Sequence, residues 1–278
     1  MTRTTMKIGM GQLLVEGGEP ERNLERAGEM VVDAAGQGCD LVLLPEALDL
    51  AWTHPSAKTE SQPIPGPYSD VLCALARDNK VYICAGLTEK DGKRVYNAAV
   101  LIDDRGEILL KYRKINVLKV AQDIYSIGRS LAVVETPFGI IGVNICSDNY
   151  FDALEIGHTL ARMGAQIILS PSSWTVDYSL TEEQVPYGEK WLKPYQSLAR
   201  LHDLVVVSAT AVGVIVGGVY EGKKMVGCSL AVDKNGIIGE GKYNEFAGQL
   251  VCVEVRIPPP HPLGTCIGDY LKAMGHYK

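Results

Sequence analysis

Residues 140–148 read IIGVNICSD, an apolar run that ends on a cysteine followed by two polar residues. Residues 140–145 are apolar apart from Asn144, and this pattern predicts a strand. Residues 151–163 then show a helical pattern, with Asp152 and Glu155 near its start, where carboxylates suit the helix dipole. This stretch therefore predicts a buried strand that leads into a helix, with Cys146 at the junction.

The alternation of strands and helices extends outward from this stretch in both directions. Upstream, helices are predicted at 21–35 and 68–79 between strands at 6–14, 41–44 and 81–87. Downstream, a helix at 188–203 is predicted between strands at 166–170 and 204–210. Each half closes with a predicted hairpin, made by 95–102 with 107–112 and by 225–232 with 237–241. Two similar halves predict an α/β fold of two packed sheets with helices outside both.

The composition is that of a soluble globular protein. The chain has 278 residues, of which 46% are apolar and 22% charged, and no linker-like break, so residues 1–278 are predicted to form one domain. The formal net charge of −6 argues against nucleic-acid binding, which usually needs a clustered basic surface. Residues 7–15 are apolar but too few to span a membrane, and they include Gln12, so a buried strand is predicted rather than a signal peptide.

Only one of the seven cysteines needs an explanation beyond packing. None lies in a C-x-x-C pair, and no cysteine–histidine cluster has the spacing of zinc ligands. An odd number of cysteines in a large chain without a secretory signal predicts reduced thiols in a cytoplasm. The exception is Cys146, because of its place at the end of a strand.

Three short segments each place a reactive side chain at or just past the end of a predicted strand. That edge is where sites form in α/β sheets. The three side chains are Glu46 in LPE, Lys114 in YRK and Cys146 in NICSD. Because Cys146 precedes a predicted helix, it is also expected to gain thiolate character from unpaired backbone N–H groups.

Each of these three residues, taken alone, is more often structural than catalytic. Together they are the residue types that acyl transfer through a thiol requires. A cysteine attacks a carbon bonded to nitrogen. A carboxylate accepts the thiol proton, protonates the departing amine and then activates water. A cation and backbone N–H groups stabilise the oxyanion.

Glu46, Lys114 and Cys146, in this order and in these contexts, resemble the catalytic set of the nitrilase (carbon–nitrogen hydrolase) superfamily. The resemblance covers nearly the whole chain. It extends to shorter motifs, which are IGMGQ at 8–12, PGP at 65–67, YNAA at 96–99 and TPFG at 136–139. It implies that Cys146 is the nucleophile, that Glu46 is the general base and that Lys114 stabilises the transition state.

The resemblance also implies an architecture and an assembly. It implies a four-layer α-β-β-α sandwich of two mixed sheets, with no metal and no cofactor, in which the backbone N–H of Ser147 joins Lys114 in the oxyanion hole. Members form homodimers or larger homo-oligomers. The segment 257–278 is rich in proline and glycine yet carries several apolar side chains, so this C-terminal tail is predicted to pack at a subunit interface.

The predicted function is hydrolysis of a small linear amide or N-carbamoyl compound through a Cys146 thioester, with release of ammonia or an amine. Two alternatives remain open: a nitrilase that attacks a C≡N carbon with the same triad, and a catalytically silent family member. True nitrilases of the superfamily usually carry tryptophan and glutamate after the cysteine, whereas Ser147-Asp148 is similar to the amidase-type branches. A silent member would be favoured by loss of a triad residue, and none is lost.

Two further sets of residues are predicted with less support from the pattern. Many relatives carry a second glutamate between the lysine and the cysteine; here Asp123 is the candidate second acid, although it is one methylene shorter.

The residues of the substrate pocket are predicted from their position in the sequence alone. Trp52 follows the strand of the base, Tyr150 follows the nucleophile, and Trp174 follows the next strand, but core packing is an equally good explanation for each.

Overall fold

The computed structural model describes residues 3–184, 186–244, 246–260, 263 and 271–276. In this part of the chain the α-helices are α1 (Pro20–Gly36), α2 (Ala57–Glu60), α3 (Pro67–Asn79), α4 (Glu155–Arg162) and α5 (Tyr187–His202). The strands are β1 (Thr5–Leu14), β2 (Leu41–Leu43), β3 (Tyr82–Asp91), β4 (Arg94–Ile102), β5 (Ile108–Arg113), β6 (Val133–Thr136), β7 (Gly139–Val143), β8 (Ile167–Ser172), β9 (Thr175–Val176), β10 (Val205–Val214), β11 (Lys224–Val226), β12 (Leu230–Asp233), β13 (Gly236–Glu240) and β14 (Gln249–Arg256). Short 3₁₀ turns cover Lys119–Ala121, Cys146–Asn149 and Phe151–Ala153.

The strands form two halves that are joined where β1 meets β10. The first half has the order β5-β4-β3-β2-β1, with β14 antiparallel to β1. The second half has the order β10-β8-β7-β6, with β12 and β13 continuing from β10. Each half is mixed: β2 pairs in parallel with β1 and β3, and β8 with β7 and β10, whereas the outer pairs β3–β4 and β6–β7 are antiparallel. Among the described residues, β1 and β10 pair only over Leu13 and Leu14, so strand pairing between the two predicted sheets is confined to this short stretch.

Alternate side chains of each strand point to opposite faces, and this alternation determines the layers. Met6 of β1 shares one buried cluster with Ile141 of β7, so these faces of the two halves meet each other. Val42 of β2 faces the other way and clusters with Leu72 of α3 and with the apolar stripe of α1. Helices α4 and α5 pack against each other, and α5 lies against β10 and β12. This packing is compatible with the predicted α-β-β-α order.

The predicted α/β fold, with mixed sheets and helices, is confirmed, and two local predictions are wrong. The helix predicted at 151–163 begins as an α-helix only at Glu155, because 3₁₀ turns occupy the chain that follows β7. The strand predicted at 225–232 is split into β11 and β12. Gly227 and Cys228 have φ values of 73° and 61°, which no strand residue adopts.

One strand that the sequence analysis left out carries a clear pattern. In β14, Val253 and Val255 are buried whereas Glu254 and Arg256 are exposed, which is the alternation expected of a half-covered strand. This strand extends the first half beyond β1 over eight paired residues.

Half of the predicted tail at 257–278 lies outside the described residues, and its packing at a subunit interface stays a prediction. Within the described ranges, no helix combines the length and the apolar character needed to cross a bilayer.

Candidate active site

Glu46 lies three residues after β2, where the two halves of the sheet come close together. Its backbone N–H donates to the carbonyl of Ser172 in β8 at 3.2 Å. Gly86 of β3 packs against it so closely that a Cβ there would lie 2.5 Å from the Cα of Glu46, so only glycine permits this approach. The following residue, Ala47, is held at φ 44°. The side chain of Glu46, 1% exposed, is therefore fixed inside the molecule by backbone contacts.

Lys114 follows β5 directly, and its backbone is held on both sides. Its N–H donates to the carbonyl of Asn97 at 2.8 Å, and its own carbonyl accepts from the N–H of Gly128 at 2.8 Å. The Nζ atom donates to Oε1 of Glu46 at 2.5 Å, and Nδ2 of Asn97 donates to the same oxygen at 2.7 Å. Lys114 and Glu46, 68 residues apart in sequence, therefore form one buried ion pair.

Cys146 adopts a strained backbone conformation, with φ 45°. A non-glycine residue in this region costs about 1–3 kcal/mol and persists only where neighbouring groups fix it. Here the N–H of Cys146 donates to Oγ of Ser170 at 3.2 Å, and its carbonyl accepts from Nδ2 of Asn149 at 3.4 Å. Asn149 also pairs in both directions with Asn144, at 2.7 and 3.0 Å. This buried network holds the thiol in place.

Asp148 connects the 3₁₀ turn that begins at Cys146 to the chain on both sides of Lys114. Its carboxylate accepts from the N–H of Ile145 at 2.9 Å, from the N–H of Asn116 at 2.9 Å and from the hydroxyl of Tyr112 at 2.8 Å. Oγ of Ser147 donates to the carbonyl of Asn116 at 2.7 Å. Three of these hydrogen bonds, those that involve Tyr112 and Asn116, join the segment that carries the cation to the segment that carries the thiol.

Glu46, Lys114 and Cys146 line a single cavity of about 170 Å³, which is smaller than the ~300–1,000 Å³ of sites for drug-sized ligands. We call Glu46, Lys114 and Cys146 the floor of this cavity. We call Tyr150, Tyr187, Lys190 and Trp191 its aromatic wall. The other lining residues are Trp52, Leu118, Ser173, Thr175 and Tyr220.

The electrostatics of the floor differ from the sequence-based expectation. Burial, reinforced by the nearby Glu46, raises the pKa of Cys146 to about 12, although Lys114 and a hydrogen bond from the N–H of Ser173 act in the opposite direction. The predicted thiolate character at a helix start is therefore wrong, because the turn at Cys146–Asn149 has only four residues and burial dominates. Burial also lowers the pKa of Lys114, but Glu46, Cys146 and Asp148 together raise it above its ordinary value, so its ammonium stays charged.

The structure brings together some of the predicted site residues and separates others. Trp52 and Tyr150 line the cavity together with the floor. Trp174 does not: it is fully buried and stacks on Trp191, with ring centroids 4.8 Å apart and planes 1° apart. Asp123 is exposed and does not line the cavity, because it lies on the outer side of the turn after the 3₁₀ segment at Lys119–Ala121.

The sequence-based prediction missed several residues that line the cavity or contact its lining, and some of them had a recognisable sequence signal. Asn97 lies within the YNAA motif, where a polar side chain interrupts an apolar strand. In α5, Tyr187, Trp191 and Tyr195 recur at every fourth position, which places them on one face of the helix. Ser173, in contrast, acts through its backbone N–H, which no side-chain pattern indicates.

Comparison with known proteins gives a family match and related sequences that are named either nitrilase or omega-amidase. A sequence model of the carbon-nitrogen hydrolase family matches residues 7–258. A nitrilase from Pyrococcus abyssi is 35% identical over 179 residues, which are 63% of this chain and 67% of that protein. An omega-amidase from Danio rerio is 31% identical over 164 residues, which are 55% of this chain and 58% of that protein. The matched part of the chain therefore spans less than two thirds of the zebrafish relative.

Solved structures agree at the level of the fold. An amidase from Nesterenkonia sp. has a TM-score of 0.78 at 21% identity, over 92% of each chain. A glutamate-to-glutamine mutant of that amidase, with acrylamide added to its active-site cysteine, has a TM-score of 0.77 at 21% identity, over 90% of this chain and 93% of that one. Identity at this level shows a shared fold alone, whereas the family match extends over most of the sequence. The chain therefore belongs to the carbon-nitrogen hydrolase family.

Proposed function

We propose that this protein hydrolyses a small linear amide or N-carbamoyl compound, with Cys146 as nucleophile, Glu46 as general base and acid, and Lys114 as the cation that stabilises the oxyanion. The observation that carries the proposal is that these three side chains, from distant parts of the chain, line the floor of one cavity. Glu46 lies within hydrogen-bonding reach of both the thiol and the Lys114 ammonium.

The first half of the reaction forms a thioester. Because Cys146 is a neutral thiol, Glu46 takes its proton as Sγ attacks the carbonyl carbon of the amide. The resulting oxyanion is stabilised by Lys114 and by the backbone N–H of Ser147, which has no partner within its own 3₁₀ turn. Glu46 then returns the proton to the departing nitrogen. The C–N bond breaks, and ammonia or an amine leaves.

The second half of the reaction uses the same groups. Glu46, again a carboxylate, takes a proton from water, and the hydroxide attacks the thioester carbon. Collapse of the second tetrahedral intermediate breaks the C–S bond, and the proton held by Glu46 goes to the sulfur. The acid product leaves, and the neutral thiol is restored. The two halves of the reaction together consume one amide and one water molecule and need no further reactant.

The cavity favours a substrate that is small. Its volume of about 170 Å³ leaves room for a short acyl chain beside the reacting carbon. The name omega-amidase, carried by several relatives, supports an amide over a larger conjugate. Assembly into a homodimer or larger homo-oligomer, with the tail at 257–278 at the subunit interface, also remains a proposal.

Hydrolysis of a nitrile is the second candidate function, and one observation favours it: the relative from Pyrococcus abyssi is named a nitrilase. The same floor could attack a C≡N carbon and form a thioimidate, which water would convert to an acid and ammonia. Ser147-Asp148, directly after the nucleophile, supports the amidase reading instead.

A screen of ammonia release over short amides, N-carbamoyl compounds and nitriles tests the proposal. We expect turnover of at least one amide or carbamoyl compound, and loss of that turnover to background in Cys146→Ala. The matched control is Cys73→Ala, because Cys73 lies on α3 and does not line the cavity. Wild-type activity in Cys146→Ala would overturn the mechanism, and turnover of nitriles alone would favour the second candidate.

A further inference from the structure

Cys39 and Cys252 are free thiols that lie side by side, although they are 213 residues apart in sequence. Their sulfur atoms are 3.4 Å apart, within hydrogen-bonding distance of each other. The sulfurs of a disulfide bond are about 2.05 Å apart, so a small movement of the two side chains would join them. The pair therefore has the proximity that an intramolecular disulfide requires.

Gly9 of β1 provides the space in which the two sulfurs meet. In the sheet, β1 lies between β14, where Gly9 is paired with Cys252, and β2, which begins two residues after Cys39. A Cβ at Gly9 would lie 3.3 Å from Sγ of Cys39 and 3.1 Å from Cβ of Ala34. Both distances are shorter than an ordinary contact, so any side chain at this position would displace its neighbours. The strand that separates the two cysteines is thus open where they face each other.

The two thiols differ in their access to solvent. Cys252 is half-buried, and its Sγ also donates to Oε1 of Gln37 at 3.4 Å. Cys39 is 5% exposed, and burial, reinforced by Cys252, raises its pKa to about 12. The nearby ammonium of Lys7 acts in the opposite direction on that pKa. A reagent from solvent therefore reaches Cys252 first, whereas Cys39 is placed to react with a group already attached to Cys252.

We propose that Cys39 and Cys252 form a site of reversible oxidation, at which a low-molecular-weight disulfide such as oxidised glutathione produces an intramolecular disulfide bond. In the first step, the thiolate of Cys252 attacks one sulfur of the small disulfide, so that a mixed disulfide forms and one small thiol leaves. In the second step, the thiolate of Cys39 attacks Sγ of Cys252, and the second small thiol leaves. The protons of the two protein thiols go to the two leaving thiolates. The protein loses two electrons, and the small disulfide gains them.

The bond fastens β14 to the turn between α1 and β2. Among the described strands, β14 pairs with β1 alone, so the cross-link adds a second attachment for this strand. A cross-link between residues 213 apart in sequence also restricts the unfolded chain, which stabilises the fold. Neither cysteine lines the cavity, so the floor stays unchanged. The inference goes beyond the proposed function and does not depend on it.

Peptide mapping after oxidation tests the inference. The reduced protein, freed of reductant, is incubated with oxidised glutathione, and the remaining thiols are blocked with N-ethylmaleimide before digestion with trypsin. Mass spectrometry should find residues 27–58 joined to residues 243–256, since each of these tryptic peptides contains one cysteine. Dithiothreitol should separate the two peptides again. On non-reducing denaturing gels the cross-linked protein should run as a single chain.

Three variants assign the steps. Cys252→Ser should abolish the cross-link, and Cys39→Ser should retain glutathione on Cys252, because no second thiol displaces it. The matched control is Cys73→Ser, which replaces another half-buried cysteine and should leave the cross-link intact. Oxidation should raise the midpoint of thermal unfolding by at least about 5 °C in the wild type and in Cys73→Ser. The same treatment should not raise it in Cys252→Ser.

Several outcomes would overturn the inference. One is a wild-type protein that keeps glutathione on Cys252 and forms no cross-link. Another is a cross-link that appears only in species of twice the chain mass, since it would then join two copies. Absence of any modification at either cysteine would also contradict it. None of these readouts is turnover, so failure of the ammonia-release screen would count against the proposed function alone.

Discussion

The floor and the aromatic wall of the cavity each contribute a lysine, and the two lysines are held in opposite ways. Lys114 in the floor is 2% exposed and bonded to Glu46, and the surrounding backbone is fixed by hydrogen bonds from both halves of the sheet. Lys190 in the wall is exposed and rests on aromatic faces. The cavity therefore combines a buried ammonium that is paired with a carboxylate and an exposed ammonium that forms no ion pair among the described residues.

The energetically unfavourable features of the cavity, which are buried charges and backbone strain, are concentrated in the floor. Burying two charges is tolerated only because they pair with each other and because Asn97 supplies a further hydrogen bond to Glu46. Cys146 and Ala47 are both held in the left-handed region of backbone conformation. The wall has no such strain among its lining residues, since Tyr150, Tyr187 and Trp191 lie in ordinary conformations or in α5. Substitutions in the floor should therefore lower both stability and activity, whereas substitutions at Lys190 should leave stability nearly unchanged.

The largest effect is expected for Lys114→Met. This change removes the cation that we propose stabilises the oxyanion, so the rate of ammonia release should fall by about 10²–10³-fold. It also leaves Glu46 buried without its partner, which should lower the free energy of unfolding by about 3–5 kcal/mol. Urea denaturation and ammonia release, measured on the same preparation, check both parts.

Lys190→Met is the control for that comparison, because it removes the same charge from the other lysine of the cavity. Its free energy of unfolding should stay within about 0.5 kcal/mol of the wild type. Combining Glu46→Gln with Lys114→Met should restore part of the stability that Lys114→Met loses, since the unpaired buried charge is gone. Equal destabilisation by the two lysine variants would contradict the contrast between floor and wall.

A smaller effect, on stability alone, is expected at Asp49, an acid three residues after Glu46 in the same turn. Asp49 is fully buried and accepts from the N–H and the hydroxyl of Thr88, but it has no cation beside it within the described residues. Burial raises the pKa of Asp49 to about 6, despite these hydrogen bonds. Glu46 and Asp49 therefore allow a comparison between a buried carboxyl group that is paired with a cation and a buried carboxyl group, three residues away, that is not.

The pH dependence of stability should reveal this difference. Because the pKa of Asp49 is higher in the folded protein than in the unfolded chain, the folded state binds more protons between about pH 4 and pH 6. Its contribution to stability is therefore lost as the pH rises through this range. Relative to Asp49→Asn, the wild type should lose about 2 kcal/mol between about pH 4.5 and pH 7. Parallel pH profiles of the two proteins in urea denaturation would argue against a raised pKa at Asp49.

The sequence predicted the floor better than the wall, for a physical reason. Glu46, Lys114 and Cys146 each lie at the end of an apolar run, and strand ends meet at one edge of a sheet whatever the details of packing. Their local contexts were also similar to those of a known family. The wall depends instead on which face of α5 turns inwards and on how its rings stack. Position after a strand therefore indicated Trp174, whereas the structure places Trp191, which stacks on Trp174, in the cavity lining.

Electrostatic properties were the least accessible to sequence reasoning. The position of Cys146 before a helical segment predicted a thiolate, yet the pKa of a thiol depends on burial and on charges brought near by the fold. Glu46 is 100 residues away in sequence and is among the groups that raise it. Asn97 and Asp148 were likewise visible within quoted motifs, but their roles depend on hydrogen bonds between segments that only the fold brings together.

The central claim is that Glu46 moves the proton of the Cys146 thiol, and Glu46→Gln tests it most directly when two rates are measured on one sample. Ammonia release should fall by at least about 10²-fold, because glutamine cannot accept or return the proton. Alkylation of Cys146 by iodoacetamide near pH 8 should be as fast as in the wild type or faster, since removing the carboxylate lowers the pKa of the thiol and leaves Lys114 beside it. Loss of hydrolysis with an intact, reactive thiol is the predicted result. Ammonia release within a few-fold of the wild type would contradict the account.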